Sequence, residues 1–105
     1  MAGSPRQKNR FPLRLPVQVL GTDAWGDRFA ESAWTVNVSG GGVCLDLRRH
    51  VAIGSRLELS IELPFAIRHR FGGRSRYDVR AVTCRVERTA EGNRVGARFL
   101  GILRG

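Results

Sequence analysis

Two arginines and three small residues carry the chemistry this chain can do. Arg6 and Arg10 form an R-x-x-x-R within the first twelve residues, and Asn37, Ser39 and Gly42 form an N-x-S-x-x-G further along. A guanidinium is a planar fork of donors that matches two phosphate oxygens at once. The same fork matches O6 and N7 of guanine, and its plane stacks on a base. In extended chain four residues span roughly 13 Å, and even spacing puts both arginines on one side. Asn37 offers an amide donor and acceptor and Ser39 a hydroxyl, while Gly42 lets a ligand come close to the backbone. Together they describe a polar platform on which an arginine-bearing arm can grip two parts of one dinucleotide.

The elements that must position these groups read as strands. Residues 1–12 hold Gly3, Pro5 and Pro12 and no apolar period. Pro12 also biases Phe11 out of the helical region, so this stretch is expected to be a flexible basic arm. Beyond it, period-2 alternation dominates. Leu15, Val17 and Val19 mark a first strand, and Asp23 to Asp27 a turn. Trp34, Val36 and Val38 are assigned to the core face of the next strand, which puts Thr35, Asn37 and Ser39 outside. Gly40-Gly41-Gly42 breaks the pattern before Val43, Leu45 and Leu47 resume it. Leu57, Leu59, Ile61 and Leu63 alternate with polar residues until Pro64. Phe65 to Arg76 is left between a mobile loop and an extended hairpin tip. Val82, Cys84 and Val86 are expected to face inward, a turn follows at Ala90 to Asn93, and Val95, Ala97 and Phe99 close the core with Arg94 and Arg98 outside. Six or seven short antiparallel strands over residues 13–103 suggest an all-β fold, a small closed barrel without free edges.

Composition narrows the class. At 105 residues the chain suits one domain. Its formal net charge is +9 and every basic residue except Lys8 is arginine, which favours an anionic partner without naming one. Cys44 and Cys84 show neither metal-ligand nor disulfide spacing, and are read as buried thiols. No apolar run approaches the roughly 20 residues of a membrane helix, and the polar start is unlike a signal peptide. A cytoplasmic protein that does not span a membrane is therefore expected. For the same reason the sequon formed by Asn37-Val38-Ser39 is read as a chance match.

An R-x-x-x-R before the first strand followed by an N-x-S-x-x-G after the second resembles the signature of the PilZ domain family. Phe11-Pro12-Leu13-Arg14-Leu15-Pro16-Val17 is similar to the family's lead-in to its first strand, and Val95-Gly96-Ala97-Arg98-Phe99-Leu100 to its closing strand. The likeness covers roughly residues 6–102, and implies a PilZ-type β-barrel that binds cyclic di-GMP as a ligand, with no cofactor. By that resemblance Arg6 and Arg10 grip guanines and phosphates, and Asn37, Ser39 and Gly42 meet the other side of the ligand; Arg98, facing outward on the closing strand, is expected within reach of it. Ligand binding would order the arm and relay the signal to an effector protein or adjacent domain. The chain departs from the family where members often carry a helix after the last strand: only six residues follow Phe99. That leaves a minimal version or a piece of a larger protein.

Two other classes compete. A single-stranded nucleic-acid barrel suits the charge but needs outward aromatic platforms, and the alternation sends the strand aromatics inward, so no nucleic-acid polymer is expected as a partner. A PilZ-like adaptor that ignores the ligand would lack the motif arginines, which are present. An enzyme is not expected, for no nucleophile–base pair, paired carboxylates or phosphate-cradling loop is seen. His50 and His69 stand apart from any acid or thiol motif. Arg68 to Arg76 reads as a solvated basic loop.

Overall fold

The computed structural model describes residues 13–103. Six strands follow in order: β1 (Pro16–Thr22), β2 (Arg28–Val38), β3 (Gly42–Leu47), β4 (Arg56–Glu62), β5 (Arg76–Arg88) and β6 (Asn93–Ile102). A 3₁₀ helix, Phe65–Phe71, lies between β4 and β5. Every neighbouring pair is antiparallel, and the ring closes as β1-β2-β3-β6-β5-β4 with Val17 opposite Ile61. The alternation read in four strands fills the interior. Val17 and Val19, Val43, Leu45 and Leu47, Leu57, Leu59 and Ile61, and Val95 and Ala97 are all buried.

Strand β2 departs from its expected phase. Thr35 faces Leu45 and Asn37 faces Cys44, so Val36 has no opposite number on β3. Such a bulge inserts one residue and flips the faces on either side of it. Val38 beyond the bulge is buried, but before it Ala33 and Thr35 turn inward and Trp34 stands 50% exposed. The assignment of Trp34 to the core is thereby corrected. A threonine is tolerated inside because its hydroxyl is satisfied. Its Oγ1 accepts the Leu15 N–H at 2.8 Å and donates to the Leu13 carbonyl, and its own N–H donates to the Leu15 carbonyl.

Strand β5 carries two register shifts, at Arg80/Ala81 and Thr83/Arg85. Val79, Ala81 and Thr83 are the buried residues, whereas Cys84 is exposed and Val82 and Val86 are only half-buried. The inward assignment of Cys84 fails for the same reason as that of Trp34. Thr83 is held by the Ser55 segment, donating its N–H to the Ser55 carbonyl and accepting from the Gly54 N–H.

Phe65 to Phe71 is neither a loose loop nor a hairpin tip. Pro64 precedes the 3₁₀ helix, and Gly72 ends it at φ 73°, a left-handed conformation that glycine adopts without a Cβ clash. Phe71 is buried in this end of the barrel against Tyr77 (ring centroids 5.0 Å), which meets Phe99 edge-on at 5.3 Å. Burying these rings offsets the ordering of the connection.

The opposite end is tied by Asp23. Its carboxylate accepts the Trp25 and Asp27 N–H groups, each at 2.9 Å, and pairs with Arg49 at 3.0 Å. The Asp27 N–H, foremost, holds the Asp23 carboxyl below its ordinary value; burial opposes this, and the Trp25 N–H and Arg49 add to it.

Candidate functional site

The N-x-S-x-x-G residues form the tip of the β2–β3 hairpin. Ser39 donates its N–H to the Gly42 carbonyl at 2.9 Å, and its Oγ accepts from the N–H groups of Gly41 and Gly42, both at 3.2 Å. This hydroxyl is therefore turned into the hairpin, and Ser39 is buried. It was expected on the outer surface beside Asn37. The bulge and the tight turn set its direction instead, and its evident work is to fix the tip. Asn37 is half-buried on β2.

Gly42 lacks a side chain for a reason the motif does not display. A Cβ there would lie 2.5 Å from the Ala97 carbonyl oxygen, a backbone atom that cannot swing away. The glycine thus lets β3 approach β6, whereas at Gly40 an added Cβ would meet open space. The tip is clamped to β6 once more where Phe99 donates its N–H to the Gly41 carbonyl at 3.0 Å. Directly opposite Gly42 stands Arg98, exposed. The structure thus brings Arg98 beside the Asn37–Gly42 tip.

Arg6 and Arg10 lie outside the described residues. What the structure does show is the direction of the chain at Leu13. Antiparallel pairing sets Pro16 against Trp34, and Leu15 and Leu13 both bond to Thr35. Each step back along β1 is one step forward along β2, so the chain at Leu13 is aimed past Thr35 towards Asn37. Arg10 precedes Leu13 by three positions, a reach of about 10 Å in extended chain.

The outer face beside the tip is charged and paired. Arg94 donates to Asp46 at 3.0 Å, and Arg14 approaches the same carboxylate at 3.9 Å. The hydrogen bond to Asp46, foremost, raises the Arg94 guanidinium above its ordinary value. Trp34 lies in this row, opposite Asp46. The motif search missed it, and the signal that finds it is the odd-numbered phase of Phe29, Ala33 and Thr35, all buried. One outward strand aromatic is still not the row of platforms that single-stranded nucleic acid calls for. Among the described residues no three His, Cys, Asp or Glu side chains group to hold a metal, and no helix is long and apolar enough to cross a membrane.

Comparison with known proteins agrees with this architecture. A solved structure of the Bacillus subtilis inhibitor of motility MotI/DgrA superposes with a TM-score of 0.67 at 21% identity, covering 97% of this chain and 45% of that one. The chain thus spans less than half the length of that protein. The PilZ domain of CeSA from a cellulose-synthesizing bacterium gives a TM-score of 0.58 at 16% identity, covering 92% of this chain and 83% of that one. At these identities the likeness is one of fold. No protein of curated function matches the sequence. The PilZ domain family model, however, matches residues 4–104, nearly the whole chain. The chain belongs to the PilZ domain family, a family of cyclic di-GMP receptor and adaptor domains.

Proposed function

We propose that this domain is a cyclic di-GMP receptor that closes its Arg6–Arg10 segment over the Asn37–Gly42 tip and so presents a changed surface to an effector protein or an adjacent domain. The observation that supports this reading is the register at Thr35, which points the chain at Leu13 along β2 towards a hairpin tip flanked by Arg98. In this reading Arg6 and Arg10 hold guanine edges and phosphates, Asn37 and the Gly42 backbone meet the ligand's other side, and Arg98 adds a third guanidinium. Ser39 acts by keeping the tip in shape. Catalysis is not part of the role, and the ligand is the signal rather than a cofactor. The protein is proposed to act in the cytoplasm.

Magnitudes make the arginines decisive. Fixing seven backbone residues, 6 to 12, costs on the order of 10 kcal/mol. Four hydrogen bonds from two guanidinium forks to charged or guanine acceptors return about 6–12 kcal/mol. With the two sides this close, losing one fork is enough to keep the segment off the tip.

Isothermal calorimetry of the whole chain with cyclic di-GMP tests the reading, with GMP and cyclic di-AMP as controls. Binding of cyclic di-GMP alone, abolished in the Arg6→Ala/Arg10→Ala double variant, is the expected result. Undiminished binding by that variant refutes the mechanism, and no binding by the unaltered chain refutes the function.

A further inference from the structure

The row of side chains next to the hairpin tip has no task in the reading above. Going round the outside of the barrel it runs Pro16, Trp34, Asp46, Arg94, each paired with the next across β1, β2, β3 and β6. Arg14 leans in from the chain before β1 and shares Asp46 with Arg94. Arg14, Trp34, Asp46 and Arg94 line a groove of about 360 Å³, open to solvent, that continues past Glu31 and Glu91. Trp34 leaves half its surface exposed in it. A strand position can hide a large ring by facing inward, and the bulge at Val36 prevents that here.

The chemistry of the groove is specific. An indole face exposed beside water is a stacking platform for a planar base. The guanidinium forks of Arg14 and Arg94 match the O6/N7 edge of guanine, and the Asp46 carboxylate they share holds them beside the indole. Asn37 follows Trp34 by three positions, about 10 Å of strand. Arg14 also continues the four-residue spacing of Arg6 and Arg10, so an extended chain carries all three guanidinium groups on one side.

Resting on the cyclic di-GMP reading, we infer that Trp34, with Arg14, Asp46 and Arg94, forms a guanine-stacking subsite that takes a base of the ligand lying beyond the Asn37–Gly42 tip. Trp34 supplies the face, and the Arg14–Asp46–Arg94 group reads the base edge, exchanging part of its internal pairing for bonds to guanine.

Calorimetry on the full chain, with melting curves to show that the variants fold, tests the subsite. Trp34→Ala weakens cyclic di-GMP binding about tenfold, and Trp34→Phe, which keeps an aromatic face, stays within about threefold of the unaltered chain. In a Trp25→Phe background Trp34 is the sole tryptophan, and its emission is quenched in step with the calorimetric isotherm. Unchanged affinity in Trp34→Ala overturns the subsite while leaving the receptor reading intact. Equal losses in Trp34→Ala and Trp34→Phe overturn stacking as its mechanism. Absence of binding by the unaltered chain removes both the receptor reading and the subsite.

Discussion

Gly42 and Ala97 pack backbone against backbone: a Cβ on the glycine would stand 2.5 Å from the alanine's carbonyl oxygen. The glycine of the motif is thus part of the barrel wall as well as of the tip. Gly42→Ala is expected to destabilise the fold by about 1–3 kcal/mol through overpacking. Gly40→Ala, two residues away in open space, should change stability by no more than about 0.5 kcal/mol. Urea denaturation of the pair separates a packing role from a general need for flexibility at the tip. Equal effects would show that the close approach to Ala97 is not what requires a glycine.

Thr35 ties the segment before β1 to β2 through its side chain. Thr35→Val keeps the shape and removes the hydroxyl, so the buried Leu15 N–H loses its partner. A loss of about 1–3 kcal/mol is expected on chemical denaturation. Affinity for cyclic di-GMP should fall as well, although valine at this buried position touches no ligand. A variant with lower stability and full affinity would show that this tether does not aim the arginine-bearing chain.

The bulges in β5 make a chemical difference between the two thiols. Cys84 is exposed and Cys44 is buried. A thiol reagent applied to the native protein should therefore label Cys84 quickly and Cys44 only after denaturation. Mass mapping of the modified peptide decides it. Two fast thiols, or fast labelling of Cys44, would contradict the register of β5 or β3.

Asp23 should contribute to acid sensitivity. Its carboxyl titrates below the ordinary 3.8, first because the Asp27 N–H donates to it. A group whose folded value lies below its unfolded one stabilises fully above the unfolded value, and that contribution is lost as pH falls through the folded value. Asp23→Asn keeps an acceptor oxygen and removes the charge. Its melting temperature is expected to change less than that of the unaltered chain between about pH 5 and pH 2. Parallel pH profiles would mean that the turn at Asp23 does not depend on ionisation.

Sequence alternation was enough to read the barrel wherever strands run without irregularity. Leu57, Leu59 and Ile61 all face the core as expected, and so do Val43, Leu45 and Leu47. It failed in β2 and β5, because a bulge is a tertiary accommodation and Val36 is as apolar as any core residue. The error moved Trp34 into the core and Cys84 with it. The ends of the barrel were hard to read for a related reason: the segment Phe65 to Phe71 is anchored where Phe71 meets Tyr77 and Tyr77 meets Phe99, a ring 22 residues further along that no local pattern announces. At the candidate site the motif falls on the hairpin tip, and the outward strand phase read for Arg98 agrees with its place opposite Gly42. Two matters needed three dimensions: the Ser39 hydroxyl bonds within its own turn, and the bareness of Gly42 answers to Ala97 on another strand.

Closure of the ring has a consequence for how the domain can be recognised. Every strand has a neighbour on both flanks, and the lengths that lack a partner on one side, such as residues 28–33 of β2 and 84–88 of β5, are short, which leaves little edge for a partner strand to join. Recognition of such a surface falls mostly to side chains and connecting turns. A surface read that way is open to change by single substitutions that leave the scaffold untouched, which suits one barrel shape to many different uses.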